Sequence, residues 1–320
     1  MSSTAIPVIL DVDTGVDDAM AILFAVAHPG LDVRAITCVA GNAGLGQVVQ
    51  NTLAILDLAE AASIPVAAGA DRPLIEAARP SVLHHGDSGL GRVTLPVSAR
   101  IPEAVHAIEL LRQQILGSSE PITLVTLAPQ TNIALLLRTY PEVMANIAGI
   151  HFMGGTAGVG NATALAEFNV WHDPEAAAIV VGSGIPTTMY GLDVFTEVRV
   201  PEQVTAGLMK SDSILGRTVG TLLDTRAEQP DGSLPYYGLI GDAGAVCALV
   251  DPGAFTGRTL PVRVELAGYG RGQTVVDRRE YVGEDLQHNG QTDWNSSRVL
   301  LGVDVPRVLA TFFDALGLKY

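Results

Sequence analysis

The sequence predicts an α/β protein with a mostly parallel central sheet covered by helices on both faces. Two observations carry that reading. Short apolar runs alternate with amphipathic stretches of helical period through the first two thirds of the chain, which is the signature of strand–helix–strand repeats. Turn residues, Gly and Asn above all, fall at the ends of the apolar runs, where such a sheet turns its chain. With 320 residues, 48% of them hydrophobic, the chain can bury a large core, and a single domain over 1–320 is expected.

The elements follow in order. Pro7 to Val12 reads as a buried strand and Asp17 to Ala27 as a helix, with Thr14-Gly15 as the turn. Asp32 to Ala40 is a second strand, Gln47 to Glu60 an amphipathic helix and Pro65 to Ala70 a third strand. Asp71 to Arg100 is a polar loop too long for mere connection, of the kind that borders sites. Pro102 to Leu116 reads as a helix, Ile122 to Leu127 as a strand, Gln130 to Arg138 as a helix and Ile150 to Met153 as a strand. A glycine-rich loop runs through Gly158 to Asn169, and Asp173-Pro174 opens the next helix, with Asp at the cap and Pro in the first turn. Pro186 to Leu192 is one more strand, followed by helical pieces from Pro201 to Arg226 and a second polar loop from Ala227 to Leu239. Gly241-Asp242 starts a helix; Pro261 to Leu266, Gln273 to Asp277 and Arg298 to Val303 read as late strands, and Val305 to Leu316 as a terminal helix.

The charge balance excludes some functions. Acidic residues number 34 against 19 basic, a net charge of −15, and the basic ones are scattered, so nucleic acid is not an expected partner. Cys38 and Cys247 are the only cysteines, which rules out a disulfide framework or a cysteine-built zinc site. No apolar run reaches the ~18 residues of a membrane span. The start, Met1-Ser2-Ser3-Thr4, lacks the basic and apolar parts of a signal peptide, which points to the cytoplasm.

The densest chemistry lies at Asp11-Val12-Asp13-Thr14-Gly15-Val16-Asp17-Asp18, where a strand's carboxyl end meets a helix's first turn. Capping and dipole complementation would explain one or two aspartates, at about 0.3–1 kcal/mol each. Four at this density repel one another unless a cation or a shared proton intervenes. A metal site is therefore expected, with Asp13, Asp17 and Asp18 as hard oxygen ligands and Asp242 as a further candidate. Without cysteines or a paired-histidine motif, calcium or magnesium suits it better than zinc. Asn42, Asn161 and Asn169, with Glu167, suit a polyhydroxylated ligand. Gly41, Gly44 and Gly46 are spaced G-x-x-G-x-G, not as a dinucleotide loop, and read as turn glycines.

Asp11-Val12-Asp13-Thr14-Gly15-Val16-Asp17-Asp18-Ala19 closely resembles the D-x-D-P-G-x-D-D-A signature of the inosine–uridine-preferring nucleoside hydrolases, with Thr14 at the usual proline. Further matches run through the chain: Thr37-x-x-x-Gly41-Asn42, His85-Gly86-Asp87-Ser88-Gly89-Leu90-Gly91, Pro129-x-Thr131-Asn132, Met153-Gly154-Gly155, Glu167-Phe168-Asn169 and Asp173-Pro174-Glu175. The resemblance implies a Rossmann-like sheet of nucleoside-hydrolase type and a Ca2+ ion that holds the ribose hydroxyls and a nucleophilic water. It implies Asp13, Asp18, Asp242 and the Leu127 carbonyl as metal ligands, with Asp13 also the base. Asp17, Asn42, Met153, Asn161, Glu167 and Asn169 would line the ribose subsite, and Asp11 would support the ligands rather than join them. A homodimer or homotetramer is implied as well.

One departure stands out. Where the family carries a histidine just before the late metal-binding aspartate, as acid for a purine base, this chain has Gly241. A missing general acid costs on the order of 10²–10⁴ in rate. His85, Tyr236 and Tyr237 are the replacements available from flanking loops, and altered base specificity is the expectation. A rival reading is a calcium-dependent ribose- or nucleoside-binding protein with little turnover. A haloacid-dehalogenase-type phosphatase, also suggested by Asp11-x-Asp13, fails on Gly15, on a lysine supply of only Lys210 and Lys319, and on Val246 where a second late acid is needed.

Overall fold

The structure, a computed structural model, describes residues 5–79, 86, 88–226, 231–289 and 294–320. Nine strands form one sheet: β1 (Ile6–Val12), β2 (Leu31–Cys38), β3 (Val66–Ala68), β4 (Ile122–Thr126), β5 (Ile147–Met153), β6 (Thr187–Tyr190), β7 (Phe255–Val264), β8 (Thr274–Val276) and β9 (Ser296–Val303). Their order is β3-β2-β1-β4-β5-β6-β9-β7-β8. All pairings from β3 across to β9 are parallel, whereas β7 runs antiparallel to both β9 and β8. The predominantly parallel sheet expected from the sequence is thus present.

Twelve α-helices accompany it among the described residues: α1 (Val16–Ala27), α2 (Leu45–Leu58), α3 (Ala107–Gly117), α4 (Thr131–Thr139), α5 (Phe168–His172), α6 (Pro174–Val181), α7 (Leu192–Phe195), α8 (Glu202–Leu208), α9 (Ile214–Leu223), α10 (Ala243–Val250), α11 (Glu284–Asn289) and α12 (Val305–Ala315). Both faces of the sheet are covered because β1 alternates. Val8, Leu10 and Val12 pack into one core with α1, α2, α10 and α12, while Ile9 packs on the other side with α3, α4 and α6. The expected cap of α6 is present, with Asp173 Oδ1 accepting from Ala176 N at 3.1 Å and Pro174 in the first turn.

Several boundaries differ from expectation by a few residues, β5 for one beginning at Ile147 rather than Ile150, and three have a visible cause. The helix expected from Pro102 begins at Ala107, because Glu103 N donates to Val66 O at 2.7 Å and holds the preceding segment alongside β3. The strand expected to reach Leu192 ends at Tyr190; Leu192 N turns to Gly155 O, and α7 follows. β7 begins at Phe255 rather than Pro261, since the extra residues pair with β9.

The strand order reverses between β1 and β4: the chain leaves β1 towards β2 and β3, then returns to β4 on β1's other side. The carboxyl ends of β1 and β4 therefore open a crevice, the place where α/β sheets of this type hold ligands. No described helix is long and apolar enough to cross a membrane.

Candidate active site

The acidic knot sits in that crevice. Asp13 follows β1, Asp17 and Asp18 lie in the first turn of α1, and Asp242 heads α10. Carboxylate oxygens of Asp17, Asp18 and Asp242, one from each, lie within 4.8 Å of one another. Asp13 is tied to the same group, its N–H donating to Asp18 Oδ1 at 3.2 Å. The trio includes Asp17, a metal ligand on the reading of the residues and a ribose contact on the resemblance, and Asp13 stands beside it. Asp18 Oδ2 accepts from Gly15 N at 2.9 Å and from Asn42 Nδ2 at 3.1 Å.

Asp13 is held at one oxygen only. Oδ2 accepts from Asn42 N at 2.6 Å, whereas the buried Oδ1 has no hydrogen-bond partner. A Cβ at Gly41 would lie 2.0 Å from Asp13 Oδ2, so the turn glycine read from the sequence is the cradle of this carboxylate.

Burial raises these acids. Loss of water pushes Asp18 up to about 7, with the Asp17 charge adding to it. Asp13 and Asp242 are pushed well above the carboxylate range, first by burial and then by their acidic neighbours. Such a set at neutral pH calls for a compensating cation. The donors fit a hard divalent ion: carboxylates, the Leu127 carbonyl on the same cavity wall, one carboxylate oxygen with nothing bonded to it, and, among the described residues, no thiol or imidazole in the acidic cluster.

The amides and Glu167 line up beside the knot. Asn169 Nδ2 donates to Leu127 O at 2.9 Å and to Met153 O at 3.2 Å. Glu167 caps α5, accepting from Asn169 N at 2.8 Å and Val170 N at 3.1 Å, and also takes Gly155 N at 2.9 Å. Burial still lifts its carboxyl to about 7 against those three donors. Asn161 Oδ1 accepts from Phe168 N at 2.9 Å. Asp17, Asn42, Leu127, Met153, Asn161, Glu167, Asn169 and Asp242 all face one cavity of about 880 Å³.

The base-side candidates separate. Tyr237 lines the cavity. Tyr236 is not among its walls: its hydroxyl donates to Val200 O at 2.9 Å and lies 2.6 Å from Thr205 Oγ1, so it ties down the loop. His85 lies outside the described residues. Gly241 lines the cavity with φ +57°, beside Asp17. The sequence reading did not single out Trp171, Phe195, Asp193 or Glu197, which share the cavity, nor Arg79, whose guanidinium stacks 4.1 Å over Trp171. Their signal is spatial; only the aromatic pair Phe168 and Trp171, next to Glu167 in the sequence, hinted at a wall.

The class these features define is an α/β protein whose sheet gathers buried carboxylates, able to bind a metal ion, at a crevice sized for a small molecule. Residues 8–310 match the family described as inosine-uridine preferring nucleoside hydrolase. The chain belongs to that family, and it is a ribonucleoside hydrolase, an enzyme that cleaves N-glycosidic bonds. It is 41% identical over 278 residues to a pyrimidine-specific ribonucleoside hydrolase, RihA, of Escherichia coli, covering 85% of this chain and 89% of the relative. The RihA of a Shewanella species is 38% identical over 316 residues, 97% of this chain and 96% of that one. Among solved structures, a plant nucleoside hydrolase superposes with TM-score 0.88 at 31% identity, covering 97% of this chain and 98% of its own. A purine-preferring ribonucleoside hydrolase from Gardnerella vaginalis gives 0.86 at 31% identity, with the same coverage.

Proposed function

We propose that the chain, acting as one domain over 1–320, hydrolyses ribonucleosides to free base and ribose with the help of Ca2+. The observation that carries this is the convergence of Asp17, Asp18 and Asp242 within 4.8 Å, with Asp17 and Asp242 on the wall of a cavity also lined by Asn161, Glu167 and Asn169. Asp13, Asp18, Asp242 and the Leu127 carbonyl would hold the ion; Asp17, Asn42, Met153, Asn161, Glu167 and Asn169 would hold the ribose. Bound there, a dication would supply the charge that offsets the buried carboxylates and makes a water more acidic.

The residues divide the remaining work. Asp13 is the base: Asn42 N fixes Oδ2, leaving Oδ1 unengaged to take the water's proton. Asp17 and Glu167, on the cavity wall, stabilise the positive charge that develops on the ribose ring as the glycosidic bond lengthens. Asn169, anchored on the Leu127 and Met153 carbonyls, presents a fixed amide to the sugar.

Gly241 offers no acid to the departing base, so the proposed substrates are ribosides whose base leaves without protonation on a purine nitrogen. Pyrimidine ribosides are one class, supported by the pyrimidine-specific relatives. Cationic ribosides such as nicotinamide riboside are another, supported by Asp193, Glu197 and the aromatic Trp171 and Phe195 on the walls. Of Tyr236 and Tyr237, the latter lines the cavity and would touch the base. As for the family at large, a homodimer or homotetramer is proposed.

Initial rates on uridine, cytidine, inosine and nicotinamide riboside, with Ca2+ and with chelator, test the proposal. Calcium-dependent cleavage with inosine slowest is expected. Inosine cleaved as fast as any other riboside would overturn the base assignment; rates unchanged by the chelator would overturn the Ca2+ assignment.

A further inference from the structure

The motif Thr131-Asn132, which opens α4, plays no part in the chemistry above, yet Asn132 is fully buried and its side chain is engaged at both polar atoms. Its Nδ2 donates to Asp11 Oδ1 at 2.8 Å and to Cys38 O at 3.1 Å. Its Oδ1 accepts from Ala70 N at 2.9 Å. These partners stand at or just past the carboxyl ends of β1, β2 and β3, so one amide ties three strand ends to the start of α4. Gly69 leaves the room for it: a Cβ there would lie 2.1 Å from Asn132 Oδ1.

Each tie leads into the crevice. Asp11 also takes Thr37 Oγ1 on Oδ1 at 2.6 Å, and its backbone carbonyl accepts from Leu127 N at 2.8 Å. Asp11 thus links Asn132 to Leu127, a residue of the cavity wall whose carbonyl is a proposed ligand, and Asp13 follows two positions later. One residue beyond Cys38, Val39 N donates to Val12 O at 3.0 Å, and the same loop then delivers Asn42 N to Asp13 Oδ2.

We propose that Asn132, acting through Asp11, is a positioning residue for the cation site. It fixes the spacing of Asp13, the Leu127 carbonyl and the Asn42 loop, and so sets the crevice's affinity for a divalent cation while touching neither cation nor nucleoside. Groups that orient metal ligands from behind govern affinity in this way, because the ligands' geometry must exist before the ion arrives. The inference rests on the calcium reading above.

The test is Ca2+ titration by calorimetry of chelator-treated full-length protein, with melting curves in Ca2+ and in chelator. Wild type is compared with Asn132→Ala and with Gly69→Ala, which crowds the same amide. The expected result is Ca2+ affinity weakened about 10- to 100-fold in Asn132→Ala, less in Gly69→Ala, and a Ca2+-induced rise in Tm smaller than that of wild type. Should Asn132→Ala fail to fold, Gly69→Ala, which disturbs the same amide from its Oδ1 side, carries the test with a smaller weakening expected. Variants that bind Ca2+ as wild type does, with Tm lowered equally in both media, would reduce Asn132 to a structural tie and overturn the proposal. Wild type that binds no Ca2+ would overturn the calcium reading, and this inference with it.

Discussion

Gly241 and Asp17 press together where no side chain fits: Gly241 has φ +57°, and a Cβ built on it would lie 2.3 Å from Asp17 Cβ. Its hydrogen is thus part of the shape of the acidic knot, and the missing histidine is more than a deletion. An L-residue in the left-handed region costs about 1–2 kcal/mol, and the clash must move Asp17 or the turn that carries Asp242. Gly241→Ala and Gly241→His are both expected to lower kcat/KM for uridine at least ~10-fold through displaced carboxylates, a misplacement effect. Inosine cleavage is not expected to appear in Gly241→His. Steady-state kinetics on both substrates check this; a histidine variant that gains inosine while keeping uridine would show that the backbone yields.

Tyr236 and Tyr237 are adjacent, yet their expected phenotypes are opposite. Tyr236 loses its bonds to Val200 O and Thr205 when its hydroxyl is removed. Tyr236→Phe should therefore destabilise the protein by about 1–3 kcal/mol with kcat little changed. Tyr237 faces the cavity while Arg199 stacks 4.7 Å over its ring. Tyr237→Ala should leave urea unfolding near wild type and change the ratio of rates among bases. Denaturation midpoints and a riboside panel on the two variants separate the roles.

That pair shows where the sequence stops being legible. Neighbouring residues leave the chain in different directions, and in an irregular loop no period says which one faces inward. The acidic knot was legible because Asp13, Asp17 and Asp18 are local, and a strand–turn–helix passage fixes where they gather. Asp242, more than two hundred residues away, could be read only as a candidate, and the resemblance made it a ligand; in the fold the packing of α10 against α1 brings it to the others. Asp17 lies close to Asp18 and Asp242, as the reading of the residues as one acidic cluster has it, because it shares α1's first turn with Asp18. The central strands were readable from apolar runs and their order was not: the reversal between β1 and β4 that makes the crevice is a property of the whole sheet.

Metal removal should register as lost stability as well as lost activity. Four carboxylates, three of them fully buried, repel one another when nothing offsets them, and an ion that binds only the folded chain stabilises it by about 2.7 kcal/mol at a hundredfold excess over Kd. Chelation near pH 7.5 is expected to lower Tm by several degrees, with Ca2+ restoring it more fully than Mg2+, because a multi-carboxylate cage suits the larger ion. Melting curves with chelator, Ca2+ and Mg2+ check this. Identical curves in all three would leave the acids without their counter-charge and the calcium assignment without support.

His172 predicts how the fold responds to acid. It closes α5 three residues after Asn169, fully buried, with its ring 5.4 Å from that of Phe168. Burial, and then the charge of Arg79 nearby, lower its pKa from 6.5 to about 4. Above pH 6.5 the imidazole is neutral in both the folded and unfolded chains and contributes no slope. As pH falls from 6.5 towards 4, the unfolded chain takes up a proton that the folded chain refuses, so stability drops; below about 4 the folded chain protonates too and the loss levels off. At about 1.4 kcal/mol per pH unit, wild type should lose on the order of 2 kcal/mol more between pH 6.5 and 5 than His172→Leu, which keeps an apolar side chain and removes the titration. Urea midpoints of both proteins at the two pH values measure the difference. Equal losses would mean that the imidazole reaches water or a partner in the folded chain, and that α5 is less firmly seated against the loop bearing Arg79 than its burial indicates.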